Sequence, residues 1–558
     1  MGQIPHSDKD GGNEVLQEFR ERISIRNIRQ NLLLIVSSFA FLGLNLQRDP
    51  QKIIAIAVAL PVVVLFFAWM PDMKRRCGRV PAGIRVYSLI SAAGICLYAA
   101  QSFFGRTRNA LGSGQTVWIL TVIAVAAALL SLPAVYTLVS LLLDHVVKIL
   151  LPLFRSLSGA EIEVCVLIAV LLSGYSCFAF IRSSAFWNSG MSYEVIYTSD
   201  SPSMIDPNVF LWLYHPENDL RQPLFAVFAA PLTAPAYLLS VPFSGLSPMI
   251  TPLLMNIAQI ILLVIANLML TGMLRLNRTN RICFMGITAV AYTTLLFSVM
   301  IEQYIVAYFW LIFAAYSSTE HRKASVIAVS AAGGTLLTSL AFLPLAYDAE
   351  TDGKGMKPFL TAMMKAVLGF LTLFLAFGRL DTMMGFGKKA GILASFAGGG
   401  SIAERANQFL SFITSCFAAP DAAVDTVTYG HASWQLTGRN IVHTDWVGAV
   451  ILLLCLISVI LNRRDKAVRI AGAWAGFSVL LLLVVGWGAP ENGMILYTLY
   501  FGWAFLVLLF RLVERVGMKL KTGLLTPLVT CTIVALLGWL NFRGIGALLA
   551  FAFEHYPG

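Results

Sequence analysis

Charge is scarce in this chain. Asp, Glu, Lys and Arg make up 12% of its 558 residues, where a soluble domain carries roughly 25%. Hydrophobic residues reach 58%, and many runs match the ~20 apolar residues that cross a bilayer. A soluble globular enzyme is excluded. Paired cysteines are missing as well. Cys96, Cys165, Cys177, Cys283, Cys455 and Cys531 sit inside apolar runs and no CxxC occurs, which argues against a disulfide framework or a zinc site. No Gly-rich phosphate loop precedes a helix, so ATP-driven transport has no engine, and no nicotinamide fingerprint is present. No transporter-style repeat is visible, and few charges fall inside the apolar runs, which counts against a proton-coupled carrier. A cleavable signal peptide is not expected. Residues 1–30 are polar, carry Lys9, Arg20, Arg22, Arg26 and Arg29, and have no apolar core before Asn31.

What charge there is has a sign and a place. The net charge is +11, and the basic residues lie in short loops between apolar runs. That is the positive-inside pattern of a membrane protein, not a nucleic-acid surface. The reading is an all-α polytopic membrane protein with roughly 13–15 transmembrane helices and external juxtamembrane helices. Spans are expected near 31–47, 52–70, 86–104, 117–143 and 162–183. After a long loop come 248–274, 282–300, 304–318, a short up-and-down pair in 324–347, 358–378, 445–462, 468–487, 493–513 and 523–541. A basic cytoplasmic N-terminus (1–30) precedes an N-terminal transmembrane extension (31–160). A core (161–380), an external loop region (381–444) and C-terminal helices (445–558) follow. From a cytoplasmic start, five spans leave residues 184–222 on the outer face. The segment 223–241 is apolar enough to span, but it holds Pro223, Pro231 and Pro235. Read as a re-entrant or juxtamembrane element, it leaves "RLNRTNR" (275–281) and the later basic loops cytoplasmic.

The polar chemistry then collects outside. "SDSPSMIDPNVFLWLYHPENDLRQPLF" (199–225) holds Asp200, Asp206, His215, Glu217, Asp219, Arg221 and Gln222. A carboxylate at the interface can act as general base toward an acceptor hydroxyl, although Asp200 and Asp206 also stand where helix caps are expected. Glu302 in "MIEQY" (300–304) sits between two apolar runs, where an acid is costly unless it has a task. Glu491 in "GAPENGM" is similar. "TYGHASWQLTGRNIVHTDW" (428–446) adds Arg439 and His443. Arg221 and Arg439 are candidates for a lipid phosphate, which a planar guanidinium binds through two donors.

The order of these pieces resembles the polytopic glycosyltransferases of the GT-C class. An external loop with an acid is followed by "RQPLFAVFAAPL". A long helix then ends in arginines ("LLVIANLMLTGMLRLNRTNR"), and a short external turn with an acid comes next ("SVMIEQYIVAYFWLIFAAY"). The likeness covers 162–325 and extends loosely to "ENGMILYTLYFGWAF" (491–505). Asp200 is followed by Ser201 where the class often has Asp-Glu, and Gln222-Pro223 stands where it often has His-Pro-Pro. The resemblance implies a GT-C-like helical bundle in the plasma (inner) membrane, with an external or periplasmic active site. It implies an inverting transfer of a hexosyl or pentosyl unit from a polyprenyl-phosphate sugar to a glycan, lipid or protein acceptor. Asp200 would be the catalytic acid of the first external loop, with Asp206 second. Glu302 would be the acid of the second external turn, and His215, Glu217, Asp219, Gln222, His443 and Glu491 would contact substrate. A divalent cation, if one is used, would take Asp200 and Glu302 as ligands. Two other readings stay open: a lipid-linked polysaccharide ligase or polymerase, and a non-enzymatic lipid or polysaccharide transporter.

Overall fold

A computed structural model describes residues 23–111, 116–187, 195–197, 199, 204–205, 208–215, 220–428, 430–489 and 493–558. Eleven helices among them are long and apolar enough to cross a membrane. The chain is an all-α polytopic integral membrane protein. Its contacts divide into two units, residues 1–148 with 371–384, and residues 149–370 with 385–558.

The first unit holds α1 (Ile25–Leu44), α2 (Pro50–Trp69), α3 (Ala82–Leu111) and most of α4 (Thr116–Arg155). Ser24 caps α1, and Asp49, followed by Pro50, caps α2. Asn31 is fully buried. Its amide nitrogen donates to the Phe67 and Met70 carbonyls at 3.0 and 2.8 Å, and its oxygen accepts from the Met73 backbone N–H. One polar side chain in an apolar helix thus satisfies the orphan carbonyls where α2 ends.

In the second unit, α5 (Gly159–Arg182) and α7 (Ile250–Met273) run antiparallel. Glu161, in the first turn of α5, pairs with Arg281 just beyond α7 at 3.0 Å. Near their other ends, Asn256 Nδ2 donates to Ser176 Oγ at 2.8 Å. The chain therefore leaves α5 and enters α7 at the same end of the bundle. Between them lies α6 (Phe225–Ser240), one continuous helix despite Pro231 and Pro235. With the turn that follows, it is long enough to cross a membrane, yet the connectivity brings the chain back to the end from which it came. The helix α6 is continuous and does not itself fold back.

The expected span 282–300 is instead two helices, α8 (Arg278–Val290) and α9 (Tyr292–Phe297), broken at Ala291, which has an extended ψ of 137°. The Tyr292 N–H there donates to the Phe417 carbonyl. Next comes α10 (Tyr304–Glu320), whose residues 304–318 are all buried. "YIVAYFWLIFAAY" is apolar all round, as a helix at the centre of a bundle must be. Residues 324–347 form the short pair that their length allows: α11 (Val326–Thr335) and a 3₁₀ stretch, Leu337–Ala346. The Ala324 N–H donates to the Leu345 carbonyl, so the pair closes on itself. These shorter pieces explain why eleven long helices are found where 13–15 spans are expected. The bundle is completed by α12 (Ile402–Ser415), the hairpin β1 (Ala422–Asp425) and β2 (Ser433–Leu436), α13 (Trp446–Leu461), α14 (Lys466–Ser478), α15 (Thr498–Lys519) and α16 (Leu525–His555). Apolar side chains such as Val170, Leu171, Leu453 and Phe542 lie exposed along the helices, as lipid-facing residues do.

Candidate functional site

The two ends of the second unit are built differently. One gathers the basic loops. Besides Glu161–Arg281, Asn280 donates to Glu514 at 2.6 Å, Arg511 bridges Asp465 and Glu514, and Lys466 donates to the Ser318 carbonyl. Arg322 pairs with Glu350, and Lys323 with Asp352. We refer to this as the arginine end.

The opposite end receives the described residues between 183 and 224. The Tyr197 N–H donates to the Trp434 carbonyl, the Trp434 N–H to the Val195 carbonyl, and the Tyr197 hydroxyl meets that of Tyr292 at 2.7 Å. The loop is thereby tied to β2 and to the α8–α9 break. Its last residues form a strap. The Leu337 N–H donates to the Arg221 carbonyl at 2.7 Å, and the Leu224 N–H to the Gly334 carbonyl at 2.9 Å. Glycine is required at 334 because a Cβ there would lie 2.7 Å from that of Leu224.

The strap opens onto a cavity of about 90 Å³. Arg221 and Gln222 line one side, Gln303 and Tyr304 the start of α10, Thr338 the 3₁₀ stretch, Trp487 and Tyr497 the approach to α15, and Tyr500 its first turn. Most of its polar groups are held. Trp487 Nε1 donates to the Tyr497 hydroxyl at 2.8 Å, Tyr500 bonds Ser339, and the Tyr304 and Tyr497 rings meet edge to face at 5.5 Å. The Arg221 guanidinium lies 5.4 Å from the Phe396 ring centre, within cation–π range. Two groups are not held. Gln222 is fully buried and neither of its amide atoms has a hydrogen-bond partner among the described residues; Gln303 is 1% exposed and its Oε1 has none among them. An unsatisfied buried polar group costs about 1–3 kcal/mol. The cavity therefore offers one donor and two acceptors to a polar guest.

A smaller cavity of about 20 Å³ is lined by Met204, Asn208, Phe210, Met255 and Ile301. The turn 301–304 thus runs between the two cavities, with Ile301 at one and Gln303 at the other. Glu302 occupies that turn and is fully buried. A solvated turn residue is ruled out, although Glu302 does not line the larger cavity.

The other expected site residues distribute unevenly. Asp200, Asp206, Glu217, Asp219 and Glu491 lie outside the described residues. His215 is buried against the Trp212 ring, 4.9 Å away, and lines neither cavity. Arg439 is 71% exposed and pairs with Asp421 at 3.2 Å. His443 is exposed at the end of the short helix Arg439–Val442. Of the two phosphate candidates, Arg221 lines a cavity and Arg439 does not. Among the described residues no three His, Cys, Asp or Glu side chains gather as a metal would require.

Sequence reasoning missed Gln303, Thr338, Trp487, Tyr497 and Tyr500. Gln303 and Tyr497 lie inside "MIEQY" and "ENGMILYTLYFGWAF", where the charge signal comes from the acids. Neutral amides and phenols in an apolar chain give no charge signal, and only their places around the cavity expose them. Searches for a matching family model, curated protein or solved structure find none.

Proposed function

We propose that the protein is a membrane glycosyltransferase that moves a sugar from a polyprenyl-phosphate donor to a hydroxyl of a glycan, lipid or protein on the outer face. The observation that carries this reading is the cavity with unsatisfied Gln222 and Gln303 amides, placed where the acid-rich loop meets the bundle. Amide groups beside Trp487 and Tyr304 suit the hydroxyls and apolar face of a sugar ring. Arg221, adjoining Gln222, suits the phosphate. The positive-inside rule makes the arginine end cytoplasmic, and the cavity then faces outward.

In this mechanism Asp200 takes the proton of the acceptor hydroxyl. The freed oxygen attacks the anomeric carbon as the bond from that carbon to the phosphate oxygen breaks. The electron pair leaves with the lipid phosphate, whose charge Arg221 stabilises, and the anomeric configuration inverts. General-base catalysis need supply only about 10²–10⁴ of the rate, positioning and phosphate stabilisation the rest. The test is transfer by the purified chain in liposomes containing synthetic polyprenyl-phosphate sugars. Release of lipid phosphate matched by labelled acceptor supports the reading. Movement of intact lipid across the bilayer without cleavage would replace it with a transporter.

A further inference from the structure

The first unit carries its surface charge differently from the second. Arg29 on α1, Lys74, Arg75 and Arg76 on the short helix Met73–Gly78, Arg79 just after it and Arg85 at the start of α3 are all exposed. None of the six has an ion pair among the described residues. Arg281, Arg322, Lys323 and Arg511 in the second unit each pair with a carboxylate. The sequence explains the difference. Between Asp49 and Asp144 the only carboxylate is Asp72, and its Oδ1 accepts the Arg75 backbone N–H at 3.0 Å, capping the short helix. Orienting helices in a membrane needs no such shortage, because the positive-inside bias counts Lys and Arg and is little affected by acids.

Hydrogen bonds hold the six at one end of the unit. Asn31, two residues after Arg29, donates to the Phe67 and Met70 carbonyls and accepts from the Met73 N–H at 3.3 Å. The Ser24 N–H donates to the Ala68 carbonyl, also at 3.3 Å. The start of α1 is thereby fastened to the turn that carries Lys74–Arg79, and only Val80 and Pro81 separate that turn from α3. The short helix buries Met73 and Cys77 and leaves its cations outside. Leu32 and Leu33 on α1 and Leu89 on α3 are exposed, roughly 5 Å along the helix from Arg29 and Arg85 at about 1.5 Å per residue. Exposed aliphatic side chains mark the hydrocarbon. The two guanidiniums therefore stand at the depth of the lipid phosphates, which a planar fork binds through two donors. A juxtamembrane cluster of roughly four to eight Lys and Arg attracts an anionic lipid surface. We propose that this end of the first unit binds anionic phospholipid, with Arg29 and Arg85 on the phosphates and Lys74–Arg79 over the headgroups.

The test is the anisotropy of a fluorescent phosphatidylglycerol titrated with the full chain in a neutral detergent. Phosphatidylcholine with the same fluorophore is the control. Saturable binding of phosphatidylglycerol is expected, roughly tenfold or more tighter than that of phosphatidylcholine and weakened by salt. The affinity should fall about tenfold or more in Arg75→Gln/Arg76→Gln and in Arg29→Gln/Arg85→Gln, and a loss in either supports the site. These side chains are exposed and make no ion pair, so the fold survives their replacement. Arg463→Gln/Arg464→Gln removes two exposed cations beside Asp465 in the second unit and should leave the affinity unchanged. Equal binding of the two lipids, an affinity unchanged in both first-unit variants, or an equal loss in the second-unit variant overturns the proposal. Displacement of the lipid by an equal concentration of polyglutamate peptide overturns it too, and assigns the surface to an acidic protein segment.

Discussion

At the arginine end of the second unit, Glu161 pairs with Arg281, Asn280 with Glu514 and Arg511 with Asp465, and the open positions that remain among the described residues, Arg281 Nε and Asp348 Oδ2, belong to groups already held through their other atoms. At the cavity end, Gln222 and Gln303 are as deeply buried and keep open hydrogen-bonding positions. Both ends belong to the same helices, so neither helix propensity nor overall hydrophobicity accounts for the contrast. A paired end holds the bundle together. An unpaired one retains interaction free energy for a guest, and local rules are expected to break at functional sites.

The contrast can be broken at either end. The largest effect is expected at the acidic loop. Asp200→Asn keeps the size and capping ability of the side chain but removes the base, so turnover should fall by about 10² or more while expression and donor binding persist. Asp206→Asn should be milder. Near wild-type transfer by Asp200→Asn in a steady-state assay would remove Asp200 from the mechanism. At the arginine end, Glu161→Gln should lower stability by roughly 3–5 kcal/mol, because it strands the buried Arg281. Denaturant unfolding reads that loss, and transfer per folded molecule should be unchanged.

Gln222→Leu sharpens the comparison because stability and activity should part. Removing an unsatisfied amide should leave stability unchanged or raise it by about 1 kcal/mol, while donor affinity drops. Asn280→Leu, which removes a satisfied amide, should destabilise and leave donor affinity alone. The smallest effect is a pH dependence. Partial burial pushes the Asp352 carboxyl up, but the Lys323 hydrogen bond, the Asp348 backbone N–H and the Lys323 charge outweigh it and hold the carboxyl below its usual value. A depressed carboxylate stabilises the fold above the unfolded value of roughly 3.9, and the gain is lost as pH falls through the folded one. The stability of Lys323→Met should accordingly change less between pH 5 and pH 2 than that of the wild type.

Much of the fold was legible in the chain. "YIVAYFWLIFAAY" reads as a buried central helix because it is apolar all round, and the length of 324–347 allows only the short pair found there. The prolines of 223–241 marked an unusual element, yet α6 runs through Pro231 and Pro235 as one continuous helix. The break at Ala291 was not legible. It depends on the Phe417 carbonyl, more than a hundred residues away in sequence, which accepts the Tyr292 N–H. At the cavity, charge led to Arg221 and the Gln222-Pro223 pair to its neighbour, but charge led equally to Arg439, whose ion pair with Asp421 is at the surface. The neutral members of the cavity carry no such mark.

The account stands on the two ends facing opposite sides of the membrane, with 183–249 leaving and re-entering on one of them. The direct measurement is labelling of single cysteines by an impermeant thiol reagent in intact cells, in a variant without the eight native cysteines. Gly245, just after α6, is exposed with open space around it, and Arg278 begins α8 at the arginine end. Gly245→Cys should label from outside and Arg278→Cys only after the membrane is permeabilised. Labelling of both from outside, or of Arg278→Cys alone, would contradict the outward-facing site and the transfer mechanism built on it.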